Sequence, residues 1–207
     1  MQELLDCLGN IPASRVRMQP HPGTATERDV VFVNDHGNRT CELIDGILVE
    51  KGIGFGESVV AAILIALLEP FVRERGLGVV SGPDGTMKFK IGLVRAPDVA
   101  FISRSQMRRK KVAHTPIPQV IPELAIEIIS KSNTRREMER KRQEYFAAGV
   151  KLVWMIDRRA RRATVYTSAE HATVVSESGE LDGGDVLPGF SISLKWLFAE
   201  IEKQLED

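Results

Sequence analysis

Two acidic residues fall where the sequence pattern predicts apolar surroundings. Glu127 lies in residues 123–129 and Asp98 lies in residues 97–102, and both segments alternate as half-buried strands do. This period of two places each carboxylate on the same strand face as apolar neighbours. A lone ionised carboxylate in such a setting costs several kcal/mol unless a cation, a metal or strong donors compensate it. Each acid is therefore a candidate for a functional site.

A lysine interrupts the apolar face of the helix predicted next in the chain. Spacing of three and four in residues 135–148 places Met138, Lys141, Tyr145 and Ala148 on one inward stripe. The ordinary interpretation is an amphipathic stem that reaches solvent. The functional interpretation is that Lys141 supplies the cation that the buried acids require. Only one turn separates the predicted strand of Glu127 from the helix of Lys141, so the two side chains can lie close together.

Together these residues suit phosphodiester hydrolysis. If the two strands are neighbours, Asp98 and Glu127 could hold one Mg²⁺, which prefers one or two carboxylates with waters and substrate phosphates. A metal lowers the pKa of a bound water and stabilises the charge that develops on phosphorus. The competing interpretation is structural: each acid pairs with an arginine or caps a backbone group, and the buried charges form only an ion-pair network.

The elements that would position these residues alternate between strands and helices. Asp45-Gly46 between two short apolar runs predicts a tight hairpin over residues 42–50. Residues 57–74 predict a core helix that Pro70 bends or shortens. Further strands are predicted as follows: 79–81, 87–91 and 97–102 as an antiparallel meander, then 123–129, 151–157, 164–167 and 190–194. A terminal helix is predicted from residue 194.

The boundaries of the helix that carries Lys141 are signalled on both sides. Thr134 and Glu137 have the spacing of a capping box, so we expect the helix to begin at residue 135. Gly149 suits the left-handed position that follows a helix, so we expect the last helical residue to be Ala148.

Two segments show no sustained periodicity. Residues 1–29 are predicted to be an irregular N-terminal arm, rich in Pro, Gly, Ser and Thr from residue 9 onward. Residues 103–122 contain three prolines and are predicted to be a long exposed connection. This connection holds the basic run Arg108, Arg109, Lys110 and Lys111, which either is simply solvated or contacts a phosphate backbone.

Composition favours one globular domain over residues 1–207. The two cysteines form no CxxC pair, so neither a disulfide framework nor a structural zinc site is supported. The N-terminus lacks the pattern of a signal peptide, and we expect no membrane-spanning window and a cytoplasmic location.

Although the formal net charge is zero, residues 95–162 contain 17 Lys and Arg against 7 Asp and Glu. That asymmetry favours an anionic partner such as nucleic acid.

The order of several short motifs resembles the Uma2 family, formerly a domain of unknown function, within the PD-(D/E)xK restriction-endonuclease-like superfamily. These motifs are Glu42-Leu43-Ile44-Asp45-Gly46, Pro97-Asp98-Val99, Glu127 through Ser130, Lys141 with Tyr145 and Gly149-Val150, Trp154 with Asp157, Leu187-Pro188-Gly189-Phe190, and Leu197-Phe198. The resemblance covers most of the chain. It implies an α/β fold with a restriction-endonuclease-like core, in which a mixed central β-sheet is flanked by helices, with the N-terminal arm and hairpin added.

The resemblance also implies roles for individual residues. Asp98 and Glu127 match the metal-binding acids, and Lys141 matches the family lysine. The usual superfamily position for that lysine, two residues after the glutamate, is Ile129 here.

Four further positions bear on the same site. Glu42 and Tyr145 are expected to support it, and Glu57, where the family often has histidine, is a candidate third acid for the metal. Lys131 stands where the family usually has proline, and we assign it no role.

These observations lead to a hypothesis with one rival. The hypothesis is an endonuclease that uses Mg²⁺ or Mn²⁺ to hydrolyse DNA, with Asp98, Glu127 and the backbone carbonyl of Ile128 holding the ion and Lys141 orienting or deprotonating the attacking water. The resemblance allows a homodimer, one copy for each DNA strand. The rival is a non-catalytic nucleic-acid-binding or assembly protein on a nuclease-like scaffold, which would bind DNA without turnover and without metal.

Overall fold

The computed structural model describes residues 2–37, 39–52, 54–109 and 112–206. Its helices are α1 Gln2–Cys7, α2 Glu27–His36, α3 Phe55–Glu74, α4 Arg104–Arg109, α5 Arg135–Ala148 and α6 Leu194–Glu206. Its strands are β1 Cys41–Ile44, β2 Ile47–Glu50, β3 Gly78–Ser81, β4 Met87–Lys90, β5 Leu93–Arg95, β6 Val99–Ser103, β7 Leu124–Ile128, β8 Leu152–Asp157, β9 Arg162–Tyr166, β10 Ala172–Ser176, β11 Glu180–Asp182 and β12 Ser191–Ser193.

A mixed six-stranded sheet forms the centre of the fold. Its strand order is β10-β9-β8-β7-β6-β3, in which β7 and β8 are parallel and the other neighbours are antiparallel. The crossover between the parallel strands is α5, as a βαβ unit requires. A four-stranded antiparallel sheet of order β2-β1-β5-β4 adjoins it, and β11 pairs with β12. The predicted α/β class with a mixed central sheet is confirmed.

Helices cover both faces of the central sheet. Leu124, Ile126 and Ile128 of β7 belong to one apolar cluster with residues of α3 and α6. Ala125, on the opposite face of the same strand, packs in a second cluster with Met138 and Tyr145 of α5. The predicted alternation in β7 is therefore confirmed, and it places Glu127 on the face that α5 covers.

The hairpin and α5 follow the predicted local signals. Asp45 and Gly46 both have positive φ, 50° and 78°, as two-residue hairpin turns require. A Cβ on Gly46 would lie 2.6 Å from the backbone of Gly23, so glycine is also required there by space. In α5 the Thr134 side chain accepts from the backbone N–H of Glu137, and Gly149 follows the helix at φ 106°.

The predicted meander of residues 79–102 is wrong. Residues 93–95 form β5, which pairs with both β1 and β4. Strand β4 therefore belongs to the smaller sheet. Strand β3 instead pairs with β6 in the central sheet. The sequence analysis also missed β10 and β11, which lie in the acidic, glycine-rich segment before β12.

The N-terminal arm is more ordered than predicted. It contains α1 and a short 3₁₀ turn at Ala13–Arg15, and α2 begins inside it because Thr26 and Asp29 form a capping box. Its apolar side chains pack against the hairpin, since Leu8, Ile11 and Val16 share a cluster with Ile44 and Val49.

The connection at residues 103–122 is also partly helical, because α4 continues directly from β6. Residues 112–114 add a 3₁₀ turn.

Helix α3 corrects one expectation about membranes. Among the described residues it is the one helix long and apolar enough to span a membrane, by length and composition only. The buried residues, including Val60, Leu64 and Leu68, pack against the central sheet.

Candidate active site

Pairing of β6 with β7 brings the two predicted acids together. Val99 pairs with Ile126, and one step further along this antiparallel register places Asp98 opposite Glu127. The backbone N–H of Ile128 donates to Oδ2 of Asp98 at 2.7 Å, which fixes that carboxylate against the end of β7. Both acids are buried, with exposed fractions of 4% and 3%.

Glu127 is held by two donors from α5. Nζ of Lys141 lies 3.0 Å from Oε2, and the hydroxyl of Tyr145 donates to Oε1. Burial raises the pKa of Glu127; the Lys141 ammonium opposes that rise and the Asp98 carboxylate adds to it. The pKa of Glu127 therefore stays above its ordinary value, so this acid is ionised less readily than an exposed glutamate.

Glu42 is the second carboxylate that contacts Lys141. Its Oε1 lies 3.4 Å from Nζ of Lys141 and accepts from the backbone N–H of Ala96 at 3.1 Å, while Oε2 accepts from Arg95 at 2.6 Å. Burial raises the pKa of Glu42, but the three cations Lys141, Arg95 and Lys51 outweigh burial and hold that pKa well below its usual range. Glu42 is thus a permanent anion that supports the site.

Arg95 extends the buried network outward. Besides Glu42 it binds Glu144, with Nε donating at 2.9 Å, and Glu144 also accepts from Arg140 at 2.7 Å. Arg95 was not predicted, because the three-residue strand β5 that carries it was not recognised. A cation two residues before Pro97-Asp98 was the available signal.

Lys141 is a buried cation between two carboxylates. Burial lowers its pKa, but Glu127 and Glu42 more than offset burial, so the pKa of Lys141 lies above its ordinary value. An ammonium held this firmly does not accept a proton at neutral pH. The contacts of Lys141 with Glu127 and Glu42 suit the first of its two predicted roles, which is orientation.

The cation beside Asp98 is Lys51, which the sequence analysis also missed. Its Nζ lies 2.9 Å from Oδ1 of Asp98 and donates to the backbone carbonyls of Ala96 and Pro83. Oδ1 is thus paired with a cation, although it accepts no hydrogen bond from the described residues. Lys51 follows β2 directly, where no periodic pattern marks a residue as buried.

A cleft of about 750 Å³ opens over Lys51. Among the described residues its lining contains six basic side chains against two acidic ones. The basic residues are Arg15, Arg39, Lys51, Lys131, Arg158 and Arg159, and the acidic ones are Glu57 and Asp84. Asp98 and Glu127 lie behind Lys51 and do not line the cleft. The open side of the site is therefore cationic.

Of the remaining predicted residues, Glu57 lies at the cleft and Arg108 lies away from it. Glu57 lines the cleft. Arg108 is exposed on α4, beyond the opposite end of β6 from Asp98. Lys110 and Lys111 lie outside the described residues, as does the side chain of Arg109.

The two opposed carboxylates fit a magnesium ion with few protein ligands. Within the described ranges, no three or more His, Cys, Asp and Glu side chains are grouped to hold a metal. Mg²⁺ does not need such a group, because it keeps several waters and often takes only one or two carboxylates. Oδ1 of Asp98, which contacts the Lys51 ammonium and accepts no hydrogen bond, is the oxygen that a metal ion would bind.

Comparison with known proteins adds a family and a fold. The model of the Uma2 family, described as "Putative restriction endonuclease", matches residues 28–195. The crystal structure of "a putative nuclease belonging to DUF820 from Anabaena variabilis ATCC 29413" matches with a TM-score of 0.71 at 17% sequence identity. The match covers 79% of this chain and 92% of that chain, and at this identity it shows a shared fold. No curated relative matches the chain.

Proposed function

The chain belongs to the Uma2 family, and because the model of that family is described as "Putative restriction endonuclease", we propose that the protein is a Mg²⁺-dependent endonuclease that hydrolyses DNA phosphodiester bonds. The observation that carries this proposal is the placement of Asp98 opposite Glu127, behind a cationic cleft. A structural ion-pair network would not need the cationic cleft.

Asp98 and Glu127 are the proposed metal ligands. When bound, Mg²⁺ would supply Lewis-acid activation of a water and would stabilise the charge that develops on the phosphate. The protein's own contribution is to hold both carboxylates in place before the ion arrives. The Ile128 N–H fixes Asp98, while Lys141 and Tyr145 fix Glu127.

Lys141 acts on the reaction through Glu127. Its ammonium is 3% exposed and contacts Glu127 and Glu42, so it positions a ligand and favours the ionised form of Glu127. The predicted role of orienting water is then indirect: Lys141 sets the orientation of the carboxylate, and that carboxylate sets the position of water.

The cleft is the proposed surface for the phosphate backbone. Lys131, Arg158 and Arg159 line it and belong to the basic region of residues 95–162. Lysine and arginine side chains neutralise phosphates and release counterions, so binding should weaken steeply as salt increases. Glu57, on the same surface, is a candidate further ligand once the ion and the phosphate are bound.

Cleavage of DNA tests the proposal. Supercoiled, linear double-stranded and single-stranded DNA would be incubated with the protein in Mg²⁺, in Mn²⁺ and in EDTA. We expect metal-dependent cleavage that Asp98→Asn and Glu127→Gln reduce to the level seen in EDTA. Glu123→Gln is the matched control, because Glu123 lies at the other end of the same strand and binds Ser103.

Two results would contradict the proposal. One is cleavage by both variants at the wild-type rate. The other is salt-dependent DNA binding without cleavage in either metal, which would favour the non-catalytic binding protein.

A further inference from the structure

Lys51 occupies an unusual position for a surface-cleft lysine. Its side chain is almost fully buried, at 5% exposed, yet the residue lines the cleft, so its ammonium separates solvent from Asp98. Two backbone carbonyls and one carboxylate oxygen surround it. This is the environment of a bound cation.

The two oxygens of Asp98 are not equivalent. Oδ2 accepts the hydrogen bond from the Ile128 N–H and is directed at the backbone of β7. Oδ1 has no hydrogen bond of acceptable geometry, and the nearest cation is Nζ of Lys51 at 2.9 Å. A metal ion approaching from the cleft would therefore meet Oδ1 where the Lys51 ammonium already stands.

We propose that Lys51 is an internal cation that takes the metal's place on Asp98 and is displaced into the cleft when a divalent ion binds. The proposal rests on the metal-dependent function proposed above. Two cations on one carboxylate oxygen repel each other strongly in a poorly hydrated site, so the ion and the ammonium compete. Lysine suits this exchange because its ammonium lies at the end of a flexible four-carbon stem, which can rotate toward solvent.

The displaced ammonium would also gain a partner. The cleft is the surface proposed for the phosphate backbone, and the displaced Lys51 ammonium would join the five other basic side chains that line it. Metal binding and phosphate binding would then reinforce each other through one side chain. Lys51 is thus a positioning residue: it keeps Asp98 compensated without metal and assists substrate binding with metal.

Calorimetric titration of Mn²⁺ without DNA tests the competition. Lys51→Met removes the charge and keeps much of the stem, and we expect it to bind Mn²⁺ about tenfold more tightly than wild type, within the range usual for coupled sites. Lys131→Met is the matched control, because exposed Lys131 lines the same cleft. It removes the same charge without touching Asp98, so we expect less than about a threefold change.

A second measurement uses only the wild-type protein, since loss of Lys51 leaves a buried carboxylate and could impair folding. Lysines would be labelled with an amine reagent with and without Mg²⁺, and the labelled peptides would be quantified by mass spectrometry. We expect Mg²⁺ to increase labelling of Lys51 at least about threefold, because the ammonium moves from a buried site to solvent, and to leave Lys131 unchanged.

The outcomes separate the inference from the proposed function. Mn²⁺ binding by wild type with no gain in Lys51→Met, or Lys51 labelling that Mg²⁺ leaves unchanged, would overturn displacement and leave the metal site standing. No Mn²⁺ binding by wild type or by Lys51→Met would overturn both. Tighter binding in Lys51→Met alone, with increased labelling of Lys51, supports the inference.

Discussion

The two acids of the candidate site lie on adjacent strands, yet their surroundings differ. Glu127 is enclosed by α5, where Lys141 and Tyr145 satisfy both of its oxygens. Asp98 lies behind Lys51 at the cleft: its Oδ2 accepts from the Ile128 N–H, and its Oδ1 contacts Lys51 without a hydrogen bond. One half of the site is a closed interior network, and in the other half the Lys51 side chain separates Asp98 from the cleft.

This difference assigns distinct tasks to the two halves. The closed half supplies rigidity, because each buried charge in it has a partner and removing any one leaves an uncompensated group. The open half is where an ion and a phosphate can arrive. A site that must bind and release a metal needs both: a fixed ligand and a ligand whose present partner can leave.

The largest expected effect is on the closed half. Lys141→Met leaves Glu127 buried without its ammonium, and we expect it to lower the free energy of unfolding by about 3–5 kcal/mol. Lys51→Met should cost less, because water from the cleft can reach Asp98. Urea denaturation of both variants measures the contrast; equal losses would contradict the distinction between the halves.

A smaller effect is expected for the hydroxyl on Glu127. Tyr145→Phe removes one donor from a buried carboxylate, so we expect a loss of about 1–3 kcal/mol in unfolding free energy. Tyr166→Phe is the control: the Tyr166 ring contacts Arg142 and is not fully buried, and its change should stay within about 0.5 kcal/mol. A Tyr145→Phe variant as stable as wild type would mean that Glu127 does not need the Tyr145 hydroxyl, which would contradict the description of this half as rigid.

A third buried carboxylate on α5 provides a structural reference with a defined pH dependence. Burial raises the pKa of Glu137, but the hydrogen bonds from Arg15 and Asn133 and the charges of Lys141 and Arg15 together outweigh burial, so the pKa lies below its ordinary value of 4.5. Because the folded-state pKa is depressed, the stabilisation is complete above pH 4.5 and is lost as the pH falls through that lower pKa.

Glu137→Gln tests this dependence. It should reduce stability at pH 7 by about 1–2 kcal/mol, because the hydrogen bonds from Arg15 lose their charged acceptor, and the gap to wild type should narrow in acid. Thermal melts from pH 7 down to pH 3 measure the gap. A gap that widens as the pH falls would contradict the sign.

The smallest expected effect concerns the open half and appears in the salt dependence of DNA binding. Arg158→Ala and Arg159→Ala should each reduce the slope of log affinity against log salt by about 1, the value for one lost phosphate contact. Arg108→Ala, beyond the far end of β6, should leave the slope unchanged. Fluorescence anisotropy in EDTA measures all three; a reduced slope for Arg108→Ala instead would move the interface to α4.

The sequence predicts the closed half well and the open half poorly. Period-two alternation places Glu127 on the face that α5 covers, and helical spacing places Lys141 and Tyr145 toward it, because both patterns are local. The same local patterns do not predict that Lys51 and Arg95 are buried cations. Lys51 directly follows a strand, Arg95 ends a strand of three residues, and their partners come from other parts of the chain.

The prediction of a meander is wrong for the same reason, because strand pairing depends on distant residues. Pairing of β5 with β1 joins residues about fifty positions apart, and no spacing within residues 79–102 reports it. Local periodicity therefore identifies which residues are buried, while the choice of partner strand and partner charge depends on contacts that only the folded chain contains.

The most direct test of the account is a crystal grown with Mn²⁺ and examined by anomalous scattering. We predict one strong peak within coordination distance of Oδ1 of Asp98 and an oxygen of Glu127, about 2.0–2.3 Å from each, with the Lys51 ammonium moved into the cleft. A saturating Mn²⁺ soak that gives no peak between these carboxylates, or a peak with Lys51 still in contact with Asp98, would contradict it.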